Sequence, residues 1–118
     1  RIEHGRMFKT LVTVAKSGAH YVYMIPVDCE LDLKKAAVCA HEKSVEMLKS
    51  KDLLPLTGYI HGGCSPIGMK KPFPTFLHKT AQNYDTIVFS GGRVGHMVEV
   101  SPEGLLKIVK YTVADITV

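Results

Sequence analysis

The sequence predicts an α+β fold built on a mostly antiparallel or mixed sheet, and three observations predict it. Two runs rich in β-branched and aromatic residues, 7–14 (MFKTLVTV) and 20–27 (HYVYMIPV), flank a turn signal at Lys16-Ser17-Gly18. They read as a hairpin. The apolar period then changes, with Leu33, Ala36, Ala37 and Ala40 at i, i+3, i+4 and i+7 behind Asp32. That is the pattern of a short amphipathic helix with an N-cap. Further short strands joined by hairpin-length connections complete the α+β pattern.

Taken in order, the helix over 31–40 keeps Lys34 and Lys35 on its outer side. Residues 45–47 read as a brief strand and 52–56 as a helical turn limited by Pro55. A strand is expected at 75–77, a turn at Gln82-Asn83-Tyr84-Asp85 and a buried strand at 86–90 (TIVFS). Gly91, Gly92 and Gly95 mark a tight loop before a strand at 97–100. Ser101-Pro102-Glu103 supplies a cap, a first-turn proline and an acid near the positive end of a second helix. Leu105, Leu106 and Val109 would form its inner face, with Lys107 and Lys110 in its last turn. Residues 111–118 close the chain as a strand or tail.

A chain of 118 residues that is 46% apolar can bury one core without staples, so residues 1–118 are expected to form a single domain. No apolar stretch approaches ~18 residues, which argues against a membrane span. No secretory signal is visible. Three cysteines at irregular spacing (Cys29, Cys39, Cys64) speak against a disulfide framework and for a reducing, cytoplasmic home. The formal charge of +4 suits visits to RNA, yet it comes without an Arg-rich run or any Trp, so a dedicated nucleic-acid coat is not written here.

The stretch that stands out is Gly58–Pro74, GYIHGGCSPIGMKKPFP, with glycines at 62, 63 and 68 and prolines at 66, 72 and 74. Glycine lets a backbone approach a ligand, and proline stiffens the chain beside it. Lys9 occupies a place in the first apolar run that a plain strand would give to Thr or Val, so the loop and Lys9 are expected to share one pocket. The loop matches neither a Walker phosphate loop nor a dinucleotide fingerprint. What it offers is a run of backbone N–H groups around Gly62, Gly63, Cys64 and Ser65, suited to an anion or a polarised carbonyl.

Other constellations are weaker. His61-x-x-Cys64 and Cys39-x-His41 lack the three or four convergent ligands that zinc needs, so no metal is expected. Cys64 reads first as a small core side chain and second as a nucleophile. Lys70-Lys71 is a solvated pair or a phosphate contact, and Gly91-Gly92-Arg93 a hairpin loop or a second such contact. His78 and His96 carry no assigned chemistry.

Five segments then occur in a recognisable order: Lys9-Thr10-Leu11-Val12, Leu31-Asp32-Leu33-Lys34-Lys35, GYIHGGCSPIGMKKPFPT, VFSGGRVGHMVEVSPEGL and Ala114-Asp115-Ile116. Together they resemble the YbaK/EbsC family, aminoacyl-tRNA deacylases related to the editing domain inserted in prolyl-tRNA synthetase. The resemblance covers the chain from Met7 onward. It implies a mixed sheet curled into a partial barrel with flanking helices and no cofactor. It further implies aminoacyl-tRNA as substrate and prolyl-tRNA synthetase as a candidate partner. Lys9 would line the editing pocket with Thr10 beside it, and Gly62, Gly63, Cys64, Ser65 and Pro66 would supply contacts to the aminoacyl ester. Gly68, Lys70 and Lys71 extend that substrate-binding set. The G-G-x-S-P form looks more like the free-standing deacylase of Cys-tRNA(Pro) than the Ala-tRNA(Pro) deacylases.

Two departures accompany it. Family members place a helix and strand ahead of the K-T-L segment, whereas six residues precede Met7 here, so part of that front segment is expected to be missing. The family also favours Asp or Gln two positions after the glycine of its G-x-x-x-E strand, where this chain has Met97. The expected activity is trans-editing, with Lys9, Gly63 and Ser65 as catalytic groups and no protein nucleophile. The competing expectation is a non-catalytic module that binds a nucleotide or aminoacyl-tRNA.

Overall fold

A computed structural model describes residues 4–118. The core of the fold is the expected hairpin, β1 (Phe8–Ala15) and β2 (His20–Pro26), paired antiparallel from Phe8↔Pro26 to Val14↔His20. Gly18 closes it at φ +93°, in the left-handed region that glycine enters without strain. β3 (Val45–Met47) adds antiparallel to the outer edge of β1, but only opposite Thr13–Ala15. On the other side β4 (Thr75–His78) runs parallel to β2, and β7 (Tyr111–Ala114) parallel to β4. The sheet is therefore mixed and open, in the order β3-β1-β2-β4-β7. A second hairpin, β5 (Ile87–Ser90) with β6 (Met97–Val100), touches it through the parallel bridge Met7↔Val88. The described strands show no closure into a barrel. Residues 1–3, where the expected front segment would begin, lie outside the described residues.

Period-two alternation divides the hairpin between two layers. Leu11, Ala15, Tyr23 and Ile25 face α1 (Leu33–Cys39) and pack with Ala36, Ala37 and Phe76. Phe8 and Met24 face the opposite way, into a cluster with Leu77, Phe89 and Leu105. Val12 and Val22, on that same face, belong to a third cluster with Leu53 and Cys64. Thr10 lies between Phe8 and Val12, at the seam of those two clusters.

The helices follow the sequence signals with three differences. Asp32 caps α1, accepting from the amides of Lys34 and Lys35 at 3.0 and 3.1 Å. The expected apolar stripe is only half covered, however: Ala36 and Ala37 are buried, whereas Leu33 is 40% exposed. The alanines let α1 lie close enough for the Tyr23 hydroxyl to donate to Ala36 O at 2.9 Å, whereas Leu33 stays at the surface. Second, the expected turn at 52–56 is a full helix, α2 (Ser50–Thr57), with Pro55 inside it. The carbonyl that Pro55 leaves without a donor belongs to Lys51, an exposed residue, so the missing bond falls on the solvent side of the helix. Third, α3 (Pro102–Leu106) is a single turn capped by Ser101 Oγ, which accepts from Gly104 N at 2.9 Å. That turn buries Leu105 and leaves Leu106, 100° further round, 51% exposed.

His78 fastens the end of β4 to the C-terminal segment. Its Nδ1 accepts from Ile116 N at 3.2 Å, so Nε2 carries the proton and donates to Thr117 Oγ1 at 3.3 Å. Burial lowers the pKa of His78 below the ordinary imidazole value. A histidine held neutral in the folded state stabilises the fold above its unfolded pKa of about 6.5, and that contribution is lost as pH falls through the folded value. Urea midpoints measured from pH 7 down to 5 should therefore fall more steeply for the wild type than for His78→Gln. Parallel profiles would contradict the assignment.

Candidate functional site

β3 stops opposite Thr13, and β5 reaches the other end of β1 at the Met7↔Val88 bridge, so the edge of β1 around Thr10 has no strand paired to it. The direction of its backbone groups follows from two bonds. Leu48 N donates to Val12 O at 3.0 Å on the β3 side, and Val27 N donates to Met7 O at 2.8 Å on the β2 side. Along a strand these groups alternate sides, so the N–H and C=O of Thr10 point out of the open edge. A cavity of about 510 Å³ lies against that edge. Since it sits beyond the edge and not over one face, residues of both faces line it, Lys9 and Leu11 from one and Phe8, Thr10 and Val12 from the other.

The opposite walls come from three places. Met47, Leu48, Ser50 and Leu53 descend from the β3–α2 corner, His61, Gly62 and Cys64 from the glycine loop, and Ser90 and Met97 from the second hairpin. The Lys9 ammonium makes no hydrogen bond or ion pair with another described residue. Thr10 Oγ1 is buried and likewise lacks a partner among them. An unsatisfied buried hydroxyl costs about 1–3 kcal/mol, so one that faces a cavity is a ready contact for a ligand.

The loop is held in shape from within. The Tyr59 hydroxyl donates to Ile67 O across its base. Ser65 Oγ accepts from Ile67 N at 3.2 Å, and Gly63 N donates to Ile60 O at 3.0 Å. Gly62 adopts φ +86°, which turns the chain over the cavity. Gly63 is needed for a different reason: a Cβ there would stand 3.2 Å from Val94 N, against the turn of the second hairpin. The amides of Gly62, Cys64 and Ser65 bond to no other described residue.

The residues singled out in the sequence therefore separate. Lys9, Thr10, Gly62 and Cys64 meet at the cavity. Gly63 and Ser65 are set behind it, and their observed contacts brace the loop. Pro66, Gly68 and Lys71 face a different groove, and Lys70 reaches toward Pro55 O at 3.4 Å on α2. Met97, noted for its position after Gly95, does reach the cavity. Met47, Leu48, Ser50, Leu53 and Ser90 carried no signal, since distant segments bring them in and no local motif does.

The chemistry on offer is electrostatic. Burial pushes the Cys64 thiol up to about 11, far from the range in which a thiolate nucleophile forms. Its packing among Val12, Val22 and Leu53 matches the reading as a small core side chain. Among the described residues no three His, Cys, Asp or Glu side chains converge as metal ligands. An apolar cavity lined by Lys9 and by a Thr10 hydroxyl, neither side chain with a partner among the described residues, beside an open backbone edge, suits the polarised end of a larger ligand.

These features define a small α+β domain with a cavity suited to such an end. Residues 1–108 match the profile of the aminoacyl-tRNA editing domain, and the chain belongs to that family. It is 53% identical over 116 residues to EbsC of Enterococcus faecalis, named as a candidate Cys-tRNA(Pro)/Cys-tRNA(Cys) deacylase. That match takes in 98% of this chain and 71% of the relative. A solved structure described as a candidate trans-editing enzyme for prolyl tRNA synthetase superposes with TM-score 0.88 at 27% identity, over 98% of this chain and 73% of that one. A hypothetical protein at 24% identity superposes with TM-score 0.90, over 99% of this chain and 77% of that one, and shows the shared fold.

With a thiol pKa near 11, Cys64 should react with iodoacetamide at pH 8 far more slowly than the partly exposed Cys29, and catch up once the protein is unfolded in urea. Rapid labelling of native Cys64, read by peptide mass, would contradict its placement.

Proposed function

We propose that this chain is a trans-editing aminoacyl-tRNA deacylase that removes a mischarged amino acid, cysteine from Cys-tRNA(Pro) in the first instance. The observation that carries the reading is an apolar cavity at the open edge of β1 whose lining includes both Gly62 and Cys64 of the glycine loop and Lys9, with no charge partner among the described residues. The family membership and the name of the 53% identical relative support it. A cytoplasmic location and association with prolyl-tRNA synthetase belong to the same proposal.

An aminoacyl ester is already activated, so modest stabilisation of its transition state suffices. The ester carbonyl lies between the Lys9 ammonium and the loop at Gly62 and Cys64, and the terminal ribose lies at the cavity mouth. Thr10, with its free hydroxyl and outward backbone groups, holds the amino end. Attack on the carbonyl carbon places negative charge on its oxygen, which the Lys9 ammonium stabilises. The attacking group comes from outside the chain. It is the thiol of the cysteine substrate or a water molecule, and its proton ends on the ribose oxygen as the ester C–O bond breaks. Met97 and Met47 give the side-chain end an apolar, polarisable wall, which suits a thiol better than a charge. In this arrangement Gly63 and Ser65 act by keeping the loop in place.

Incubating the protein with Cys-, Ala- and Ser-tRNA(Pro) and following loss of the amino acid tests the proposal. Cys-tRNA(Pro) should be discharged, and Lys9→Ala should lower kcat by about 10²–10³-fold, as loss of one charge-stabilising donor does, with an unchanged urea midpoint. Tight retention of the RNA without release would favour a binding module. Near-normal turnover by Lys9→Ala would remove this lysine from the reaction.

A further inference from the structure

A second groove, of about 530 Å³, lies on the far side of the glycine loop from the cavity. The proline-rich half of the loop forms one wall, including Pro66, Met69 and Phe73, and Ile108–Lys110 between α3 and β7 form the other. Its lining contains two cations, Lys71 and Lys110, and no carboxylate. Both lysines are exposed, and neither pairs with another described residue. Lys70 and Lys107, also exposed, add to the positive charge of the two segments. Ile108 is 61% exposed beside them, an apolar surface next to unpaired charge. Flat apolar surface flanked by ammonium groups matches a nucleotide, whose base lies on the first and whose phosphate meets the second.

The two hollows are also within reach of one strand. Cys64 faces the cavity and Pro66 faces the groove, and two residues of chain span at most about 7 Å. A single-stranded RNA end whose last ester lies in the cavity therefore passes the groove within its next few nucleotides. We infer that this groove binds the nucleotides immediately 5′ of the aminoacylated end, with Lys71 and Lys110 on their phosphates and a base over Ile108 and Phe73. The inference rests on the deacylase reading for what fills the cavity, but it concerns a separate surface.

The test uses binding first, so that it does not depend on turnover. A fluorescently labelled, uncharged single-stranded RNA of twelve nucleotides ending in CCA is titrated with wild type, Lys110→Gln, Lys71→Gln and the double variant across a salt series. The double variant should bind about tenfold more weakly, and the slope of log K against log salt should become shallower by about 0.7 per lysine removed. Unchanged affinity and slope would overturn the site, as would equal weakening for a Lys-to-Gln change at Lys16, remote on the first hairpin turn. The second measurement compares substrates for Lys110→Gln. KM for Cys-tRNA(Pro) should rise, while kcat/KM for cysteinyl-adenosine, which ends short of the groove, should hold. Equal losses on both substrates would overturn the inference. Absence of any deacylation by the wild type would instead sink the proposed function and leave the RNA titration to decide the groove.

Discussion

The arrangement depends on where β3 ends. It pairs with Thr13–Ala15 and then turns away, and β5 is bridged only at Met7, leaving the edge of β1 around Thr10 without a paired strand. An exposed strand edge invites association with other chains, and proteins blunt it with lysine, bulges or a covering loop. Here Lys9 lies on that edge and the loop from Gly58 covers it at a distance, so the gap becomes a lined cavity. Had β3 continued along β1, it would have bonded to Thr10 and filled the space. The same early ending sends the chain into α2, whose Leu53 forms part of the floor.

The cover is held by contacts that have no place in the chemistry. Tyr59 bonds to Ile67 across the base of the loop, its ring rests against the hairpin turn at Gly92, and Gly63 allows that turn to pack at backbone distance. The loop is thus fixed between two strand systems and presents Gly62 and Cys64 to the cavity as a preorganised surface. Preorganised donors and charges are effective because they need not reorient as charge develops. Burial keeps the Cys64 thiol protonated, so what the residues around the cavity offer a ligand is field and shape.

Much of this was legible in the sequence, for physical reasons. Alternation and the Lys16-Ser17-Gly18 turn define the first hairpin almost to the residue, and Asp32 and Ser101 cap the helices they were expected to cap. Periodicity names the face a helix could bury but not whether anything covers it, which is why Leu33 and Leu106 turned out exposed. The link between Lys9 and the glycine loop was readable because glycines at 62 and 63 have few structural uses, and the family resemblance pointed the same way. Which loop residues face inward was not readable. The reversal at Gly62 and the Ser65 bond turn Pro66, Gly68 and Lys71 to the other side, and one-dimensional spacing does not encode such a turn. The β3–α2 wall was hidden for a related reason, since Met47 and Leu48 reach the cavity only through strand pairing.

In the proposed function the open edge of β1 and the glycine loop together receive the aminoacyl ester end. Amide chemical shifts recorded while titrating an amide-linked, non-hydrolysable cysteinyl-adenosine test it directly. Saturable shifts centred on Lys9, Thr10, Leu11, Gly62, Cys64 and Met97 are the predicted result. Shifts confined to other surfaces, or none at millimolar ligand, would contradict it.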